Sequence, residues 1–268
     1  MVSVFDDTGQ GTPVLLVHGF PHSRAFWAPM VAALGRREGG PAIRAVAPDL
    51  RGFGDTPAHA PLTLDQHADD LVALLDHLGL ARVVVCGLSM GGYVALALWR
   101  RHPGRVRALV LADTRATADD EAQRAKRLEL AGVARSQGSA AVADAQLPGA
   151  LGKTTREGDP ARVEGLRALM ATASVDGIVG ALDAMRERPD ATGTLAGITV
   201  PTLVVVGAED VLTPPKDARA LAAGIPGATL VELPAAGHVS AWERPEAFAD
   251  ALAAFVGGLD NGEDSRVA

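Results

Sequence analysis

The segment RVVVCGLSMGGYVALALW (82–99) sets the tightest constraint on how this chain folds. After Arg82 comes an unbroken apolar run, the pattern of a strand covered on both of its faces. YVALALW (93–99) reads as an apolar helix. Only GLSMGG (87–92) lies between them, so strand and helix meet at one sharp turn. A buried strand that passes straight into a helix is half of a β-α-β unit. It predicts an α/β protein with a mostly parallel central sheet flanked by helices.

The same pattern recurs along the chain. Apolar runs stand at VLLVHG (14–19), AIRAVAPDL (42–50), RVRALVLAD (105–113), TLVVVGAED (202–210) and ATLVEL (228–233), with VSVF (2–5) as an edge-strand candidate. Helical patterns separate them. SRAFWAPMVAAL (23–34) has Ser23 as its expected N-cap. LDQHADDLVALLDHLGL (64–80) places Leu71, Leu74, Leu75 and Leu78 on one face. GGYVALALWRRHP (91–103), PKDARALAAGI (215–225) and ERPEAFADALAAFVGG (243–258) complete the set, and the polar tail 259–268 is expected to fray.

One stretch breaks the alternation. Residues 114–196 contain helical runs such as DDEAQRAKRLELAGVAR and ARVEGLRALMATA, no convincing strand, and no Phe, Trp or Tyr. That is too long for an ordinary crossover. The expectation is a helical lid, 114–196, inserted between two strands of a core made of 1–113 and 197–268.

Composition narrows the function classes. A length of 268 residues suits one large domain or a domain with an insertion. A formal charge of −7 disfavours a nucleic-acid partner. Cys86 is the single cysteine, which excludes an internal disulfide and a multi-cysteine metal site, and no metal or cofactor is expected. The first residues lack a signal-peptide pattern and no apolar run is long enough to span a membrane. A cytoplasmic location with no membrane partner is therefore expected. The sequence leaves the oligomeric state open.

The turn at 87–92 is also a G-x-S-x-G motif. With 30 glycines in the chain the match alone decides little, but its strand-turn-helix context is what a nucleophile elbow requires. There the Ser occupies strained backbone space, close packing excludes Cβ atoms on either side, and the helix N-terminus favours negative charge beside the hydroxyl.

Four further segments carry a resemblance. They are His18-Gly19-Phe20-Pro21 and Pro48-Asp49-Leu50-Arg51-Gly52-Phe53-Gly54-Asp55, then Gly207-Ala208-Glu209-Asp210 with Thr213-Pro214-Pro215, and Ala236-Gly237-His238. With the elbow, they resemble the α/β-hydrolase fold family along nearly the whole chain, and within it the small bacterial esterases, enol-lactonases and cofactor-free perhydrolases. The resemblance implies a serine hydrolase in which Ser89 is the nucleophile, His238 the base and Asp210 the acid, in the chain order of that fold. Asp113, which ends the strand before the insertion, is an alternative acid. The backbone N–H groups of Phe20 and Met90 would form the oxyanion hole. Of the seven histidines only His238 follows both partners; His18 reads as structural, and His22 could reach the pocket rim. Expected substrate contacts are Phe20, His22, Leu128, Leu147 and Met170. Cys86 reads as a buried, inert apolar residue.

The resemblance also orders the functions. Epoxide hydrolases and haloalkane dehalogenases attack with an Asp at the elbow, where this chain has Ser89. Cleavage of a small-to-medium carboxylic ester or lactone is the leading expectation, with that molecule as the partner. Perhydrolysis and C–C bond hydrolysis are alternatives on the same residues, and a non-hydrolysing ligand receptor is an alternative of another class. The insertion holds 11 Lys/Arg against 12 Asp/Glu, so its composition indicates no charged substrate.

Overall fold

The computed structural model describes residues 2–60 and 62–263, with residues 260–263 described as helix backbone only. Seven strands form one sheet: β1 (Phe5–Gly9), β2 (Thr12–Val17), β3 (Ile43–Pro48), β4 (Val83–Leu88), β5 (Val106–Ala112), β6 (Thr202–Gly207) and β7 (Thr229–Leu233). Their spatial order is β1-β3-β2-β4-β5-β6-β7. All neighbours are parallel except β1 and β3, which are antiparallel.

The edge strand lies at Phe5–Gly9, and the expected VSVF (2–5) contributes only its last residue. The reason is exposure. β1 is FDDTG, mostly solvent-facing, so it needs no apolar alternation and gave no signal in the sequence.

Buried strands alternate their side chains between two helical layers. Leu15, Val17, Val83, Val85, Leu109, Leu111, Val204 and Val206 face one apolar cluster. Val14, Leu16, Val84, Cys86, Val110, Leu203 and Val205 face the other. The first layer contains α2 (Leu64–His77), α3 (Met90–Arg101) and α8 (Pro215–Gly224). The second contains α1 (Ala28–Gly35) and α10 (Pro245–Glu263), beside the short α9 (Ser240–Glu243).

Two helix boundaries differ from expectation. Ser23 opens a 3-10 turn, Arg24–Trp27, and its side chain caps nothing. Its carbonyl takes the Phe26 N–H, while Asp49 takes the Arg24 N–H, so α1 starts only at Ala28. At the other end α10 continues through Glu263, because Leu259 is buried and extends the stripe of Phe248, Leu252 and Val256. Of the tail expected to fray, 264–268 lie outside the described residues.

Between β5 and β6 the described residues form helices and no strand: α4 (Glu121–Ala150), α5 (Lys153–Gly158), α6 (Pro160–Ala171) and α7 (Val175–Arg186), then a 3-10 turn at Thr192–Gly197. A capping box of Asp120 and Gln123 starts α4. The helix bends at Gly138, whose φ of 81° and ψ of −177° are not helical.

Candidate active site

Ser89 stands between the last residue of β4 and the first of α3. Its backbone lies at φ 55°, ψ −115°, a conformation that costs a non-glycine residue about 1–3 kcal/mol. The surrounding packing imposes it. A Cβ on Gly87 would lie 2.2 Å from the Gly91 carbonyl oxygen, and one on Gly91 would lie 2.1 Å from the Val17 oxygen. The Ser89 N–H donates to the Ala112 oxygen (2.9 Å), and the Thr114 hydroxyl donates to the Ser89 carbonyl (2.9 Å).

The strained turn aims Ser89 Oγ at His238 Nε2, 2.7 Å away. His238 follows β7 on a loop held from two sides. Its own N–H donates to the Ala150 oxygen (3.0 Å), and Glu243 accepts from the N–H groups of Gly237 (2.7 Å) and Gly152 (2.9 Å). Nδ1 of His238 lies 2.9 Å from Asp210 Oδ2. A carboxylate there fixes the tautomer: Nδ1–H donates to Asp210, and the Nε2 lone pair faces the serine hydroxyl.

Asp210 follows β6 in a turn that saturates its carboxylate. Oδ1 accepts from the N–H groups of Leu212 (2.8 Å) and Thr213 (3.0 Å), and Oδ2 accepts from the Thr213 hydroxyl (2.8 Å) as well as from His238. Burial alone would raise the Asp210 pKa, but His238 and the Thr213 donors outweigh it and hold the carboxyl below its ordinary value. Burial likewise works against protonation of His238. Asp210 prevails there too and keeps the imidazole above the usual histidine value.

Asp113, the alternative acid, points elsewhere. Its Oδ1 accepts from the Gly207 N–H (2.9 Å), and its Oδ2 from the Ser240 N–H (3.0 Å) and hydroxyl (2.6 Å). It makes no hydrogen bond to His238 among the described residues. Burial and the nearby Asp210 charge push its carboxyl up to about 8.

The loop after β2 brings Phe20 beside this group. His18 braces the loop by accepting from the Leu50 N–H (3.0 Å), with its other ring nitrogen 2.9 Å from the Gly19 oxygen, so it is structural as expected. The backbone N–H groups of Phe20 and Met90 donate no hydrogen bond within the described residues. The Met90 side chain is wholly buried in the core, so only its N–H can face the site. Cys86 is wholly buried, and burial pushes its thiol pKa up, away from reactivity.

Above Ser89 lies a cavity of about 540 Å³. Phe20, His22, Tyr93 and His238 line it from the core; Gln123, Leu130, Gln146, Met170 and Met185 line it from α4, α6 and α7. His22 is buried and stacks on Phe26 at 4.7 Å, with neither ring nitrogen bonded. Two expected contacts are absent from the lining. Leu128 is 51% exposed, because the inward face of α4 runs through Gln123, Lys126, Arg127, Leu130 and Val133. Leu147 packs into the apolar cluster that includes Leu166 and Met170; beyond the Gly138 bend it is Gln146 and Ala150 that face the cavity. Thr213 belongs to the acid-loop segment read from the sequence, which gives it no role, and Arg115 is not anticipated. The Asp-x-x-Thr spacing at 210–213 is a recognisable Asx-type turn, whereas nothing in the sequence marks Arg115 as inward-facing.

Residues 12–245 match the family described as alpha/beta hydrolase fold. The chain belongs to this family. Among solved α/β-hydrolase-like structures it is similar to a thermophilic esterase from Thermogutta terrifontis, solved with malate bound. That likeness has a TM-score of 0.90 and 38% identity, and covers 96% of this chain and 93% of the other. Against the 3-oxoadipate enol-lactonase 2 of Acinetobacter baylyi the identity is 33%, over 77% of this chain and 76% of that protein. The 2-hydroxymuconate semialdehyde hydrolase of Pseudomonas sp. (strain CF600) is 39% identical over only 107 residues. That match covers 39% of this α/β hydrolase and 37% of the relative. No single helix among the described residues is long and apolar enough to cross a membrane.

Proposed function

We propose that this α/β hydrolase cleaves a small-to-medium carboxylic ester or lactone through an acyl-enzyme on Ser89. The observation that carries the reading is the chain of contacts from Ser89 Oγ to His238 Nε2 (2.7 Å) and from His238 Nδ1 to Asp210 (2.9 Å), opening on a cavity. As Oγ attacks the acyl carbon, Nε2 takes its proton, and Asp210 stabilises the imidazolium. The charge that develops on the carbonyl oxygen meets the Phe20 N–H in the loop after β2 and the Met90 N–H at the start of α3. Collapse expels the alcohol, protonated by His238. In a lactone that alcohol stays tethered to the acyl chain. Water then attacks the acyl-enzyme with His238 again as base, releasing the acid and free Ser89.

The helical segment 114–196 acts in this reading as the lid that selects the acyl group, since α4, α6 and α7 supply much of the cavity lining. Similarity to an esterase and an enol-lactonase supports ester or lactone chemistry. The test is Ser89→Ala with a panel of esters and lactones of graded length. The variant should fold normally and lose about 10⁴-fold or more in kcat. A fluorophosphonate should label Ser89 in the parent protein. Undiminished turnover in the variant, or labelling at another residue, would refute the assignment.

A further inference from the structure

The wall of the cavity is unbalanced in charge, although the inserted segment as a whole is not. Arg115, Lys126 and Arg127 line the cavity against one carboxylate, Glu129. Behind this wall Asp119 is fully buried and meets three guanidiniums: Arg115 Nη2 (3.0 Å), Arg188 Nη1 (2.7 Å) and Arg127 Nε. One carboxylate cannot neutralise three cations.

One of those arginines has partners besides Asp119. Arg188 donates to the Met185 and Thr117 carbonyls and lies 4.1 Å over the Tyr93 ring. Arg127 gives a second, longer contact to Asp119. Arg115 is not engaged in this way. Its side chain is only 12% exposed, its Nε is buried without an acceptor, and its Nη1 makes no hydrogen bond among the described residues. A largely desolvated guanidinium that shares its one carboxylate with two other arginines, and faces a cavity with unused donors, has room for a second anionic partner. The Arg115 charge also reaches His238, where it opposes protonation, so the wall and the base share one electrostatic site.

We propose that this wall is a carboxylate subsite. The substrate is an ester or lactone whose acyl part carries a carboxylate, seated on Arg115 with Lys126 and Arg127 beside it. The inference rests on the acyl-enzyme reading above for the reaction, and on the Arg115 wall alone for the anion. An arginine fits the role because its planar donors suit a carboxylate and it cannot lose its charge at working pH. An apolar acyl chain of the same length would leave the Arg115 Nε and Nη1 donors without an acceptor, so the discrimination comes from both the bonds formed and the bonds missed.

The experiment compares ethyl pentanoate with monoethyl glutarate, equal in acyl carbon count, by pH-stat on the full chain. The parent protein should prefer monoethyl glutarate, and the ratio of the two kcat/KM values should fall by ~10–100-fold in Arg115→Gln. Arg115→Lys should recover part of it. Should Arg115→Gln fold poorly, Lys126→Gln serves instead, since Lys126 is exposed and unpartnered among the described residues, and its ratio should fall a few-fold. A parent ratio near one that no variant moves overturns the carboxylate subsite and leaves ester hydrolysis standing. If neither ester is turned over, calorimetric titration of glutarate separates the two claims. Binding that Arg115→Gln abolishes keeps the subsite while the reaction reading fails, and no binding overturns the subsite as well.

Discussion

At the residue scale, the two buried aspartates near His238 divide by geometry. Asp210 receives the imidazole N–H, and Asp113 receives the Gly207 and Ser240 donors. Asp210→Asn should therefore lower kcat by about 10⁴-fold, because the amide cannot hold the tautomer or stabilise the imidazolium. Asp113→Asn should cost only a few-fold in kcat and instead lower stability by about 1–3 kcal/mol, since an amide nitrogen would face at least one buried N–H donor. Steady-state kinetics and thermal melts on the pair check both; a dead Asp113 variant with an active Asp210 variant would reverse the assignment. The pH dependence has a definite sign. His238 must be neutral to accept the serine proton, and Asp210 raises its pKa above the ordinary 6.5. The acid limb of kcat/KM should then have its midpoint above that value, with activity rising as pH passes through it. In Asp210→Asn the residual activity should have this limb moved to lower pH. A limb unmoved by the substitution would mean that another group titrates.

At the element scale, the strands were easier to read than the helices between β5 and β6. Ser89, Asp113 and Asp210 each follow a strand written as a nearly unbroken apolar run, so the sequence locates them to the residue. β1 escaped because an exposed edge strand needs no such run. In the inserted segment the helices were visible but their rotation was not. Before the Gly138 bend the cavity face of α4 runs through Gln123, Lys126 and Leu130, and after it through Gln146 and Ala150, so the apolar Leu128 and Leu147 lie off the cavity while the polar Gln123 and Gln146 lie on it. Arg115 sits three residues past β5, where an arginine is ordinarily a solvated loop residue. The lid reading makes its own prediction. Met170→Ala and Met185→Ala enlarge the cavity from α6 and α7, and should shift acyl preference toward longer or branched chains while Ser89 remains the labelled residue. Chain-length profiles of the variants check this, and profiles identical to the parent's would remove the lid from substrate selection.

At the scale of the whole molecule, the sheet brings together groups that lie far apart in sequence. β4, β5 and β6 are adjacent, so Ser89 and Asp210 emerge at the same edge, and the loop after β7 carries His238 between them. Glu243 ties that loop to the junction between α4 and α5 through Gly237 and Gly152, which couples the position of the base to the layer above it. The account depends on covalent chemistry at one atom, Ser89 Oγ. The most direct measurement is rapid acid quench of the protein during turnover of an activated ester, followed by mass analysis of the intact chain and its peptides. The predicted result is one acyl group per chain, on the peptide containing Ser89, absent from Ser89→Ala and persisting longer in His238→Gln if that variant acylates at all. Turnover without any acyl adduct, or an adduct on another residue, would contradict the account.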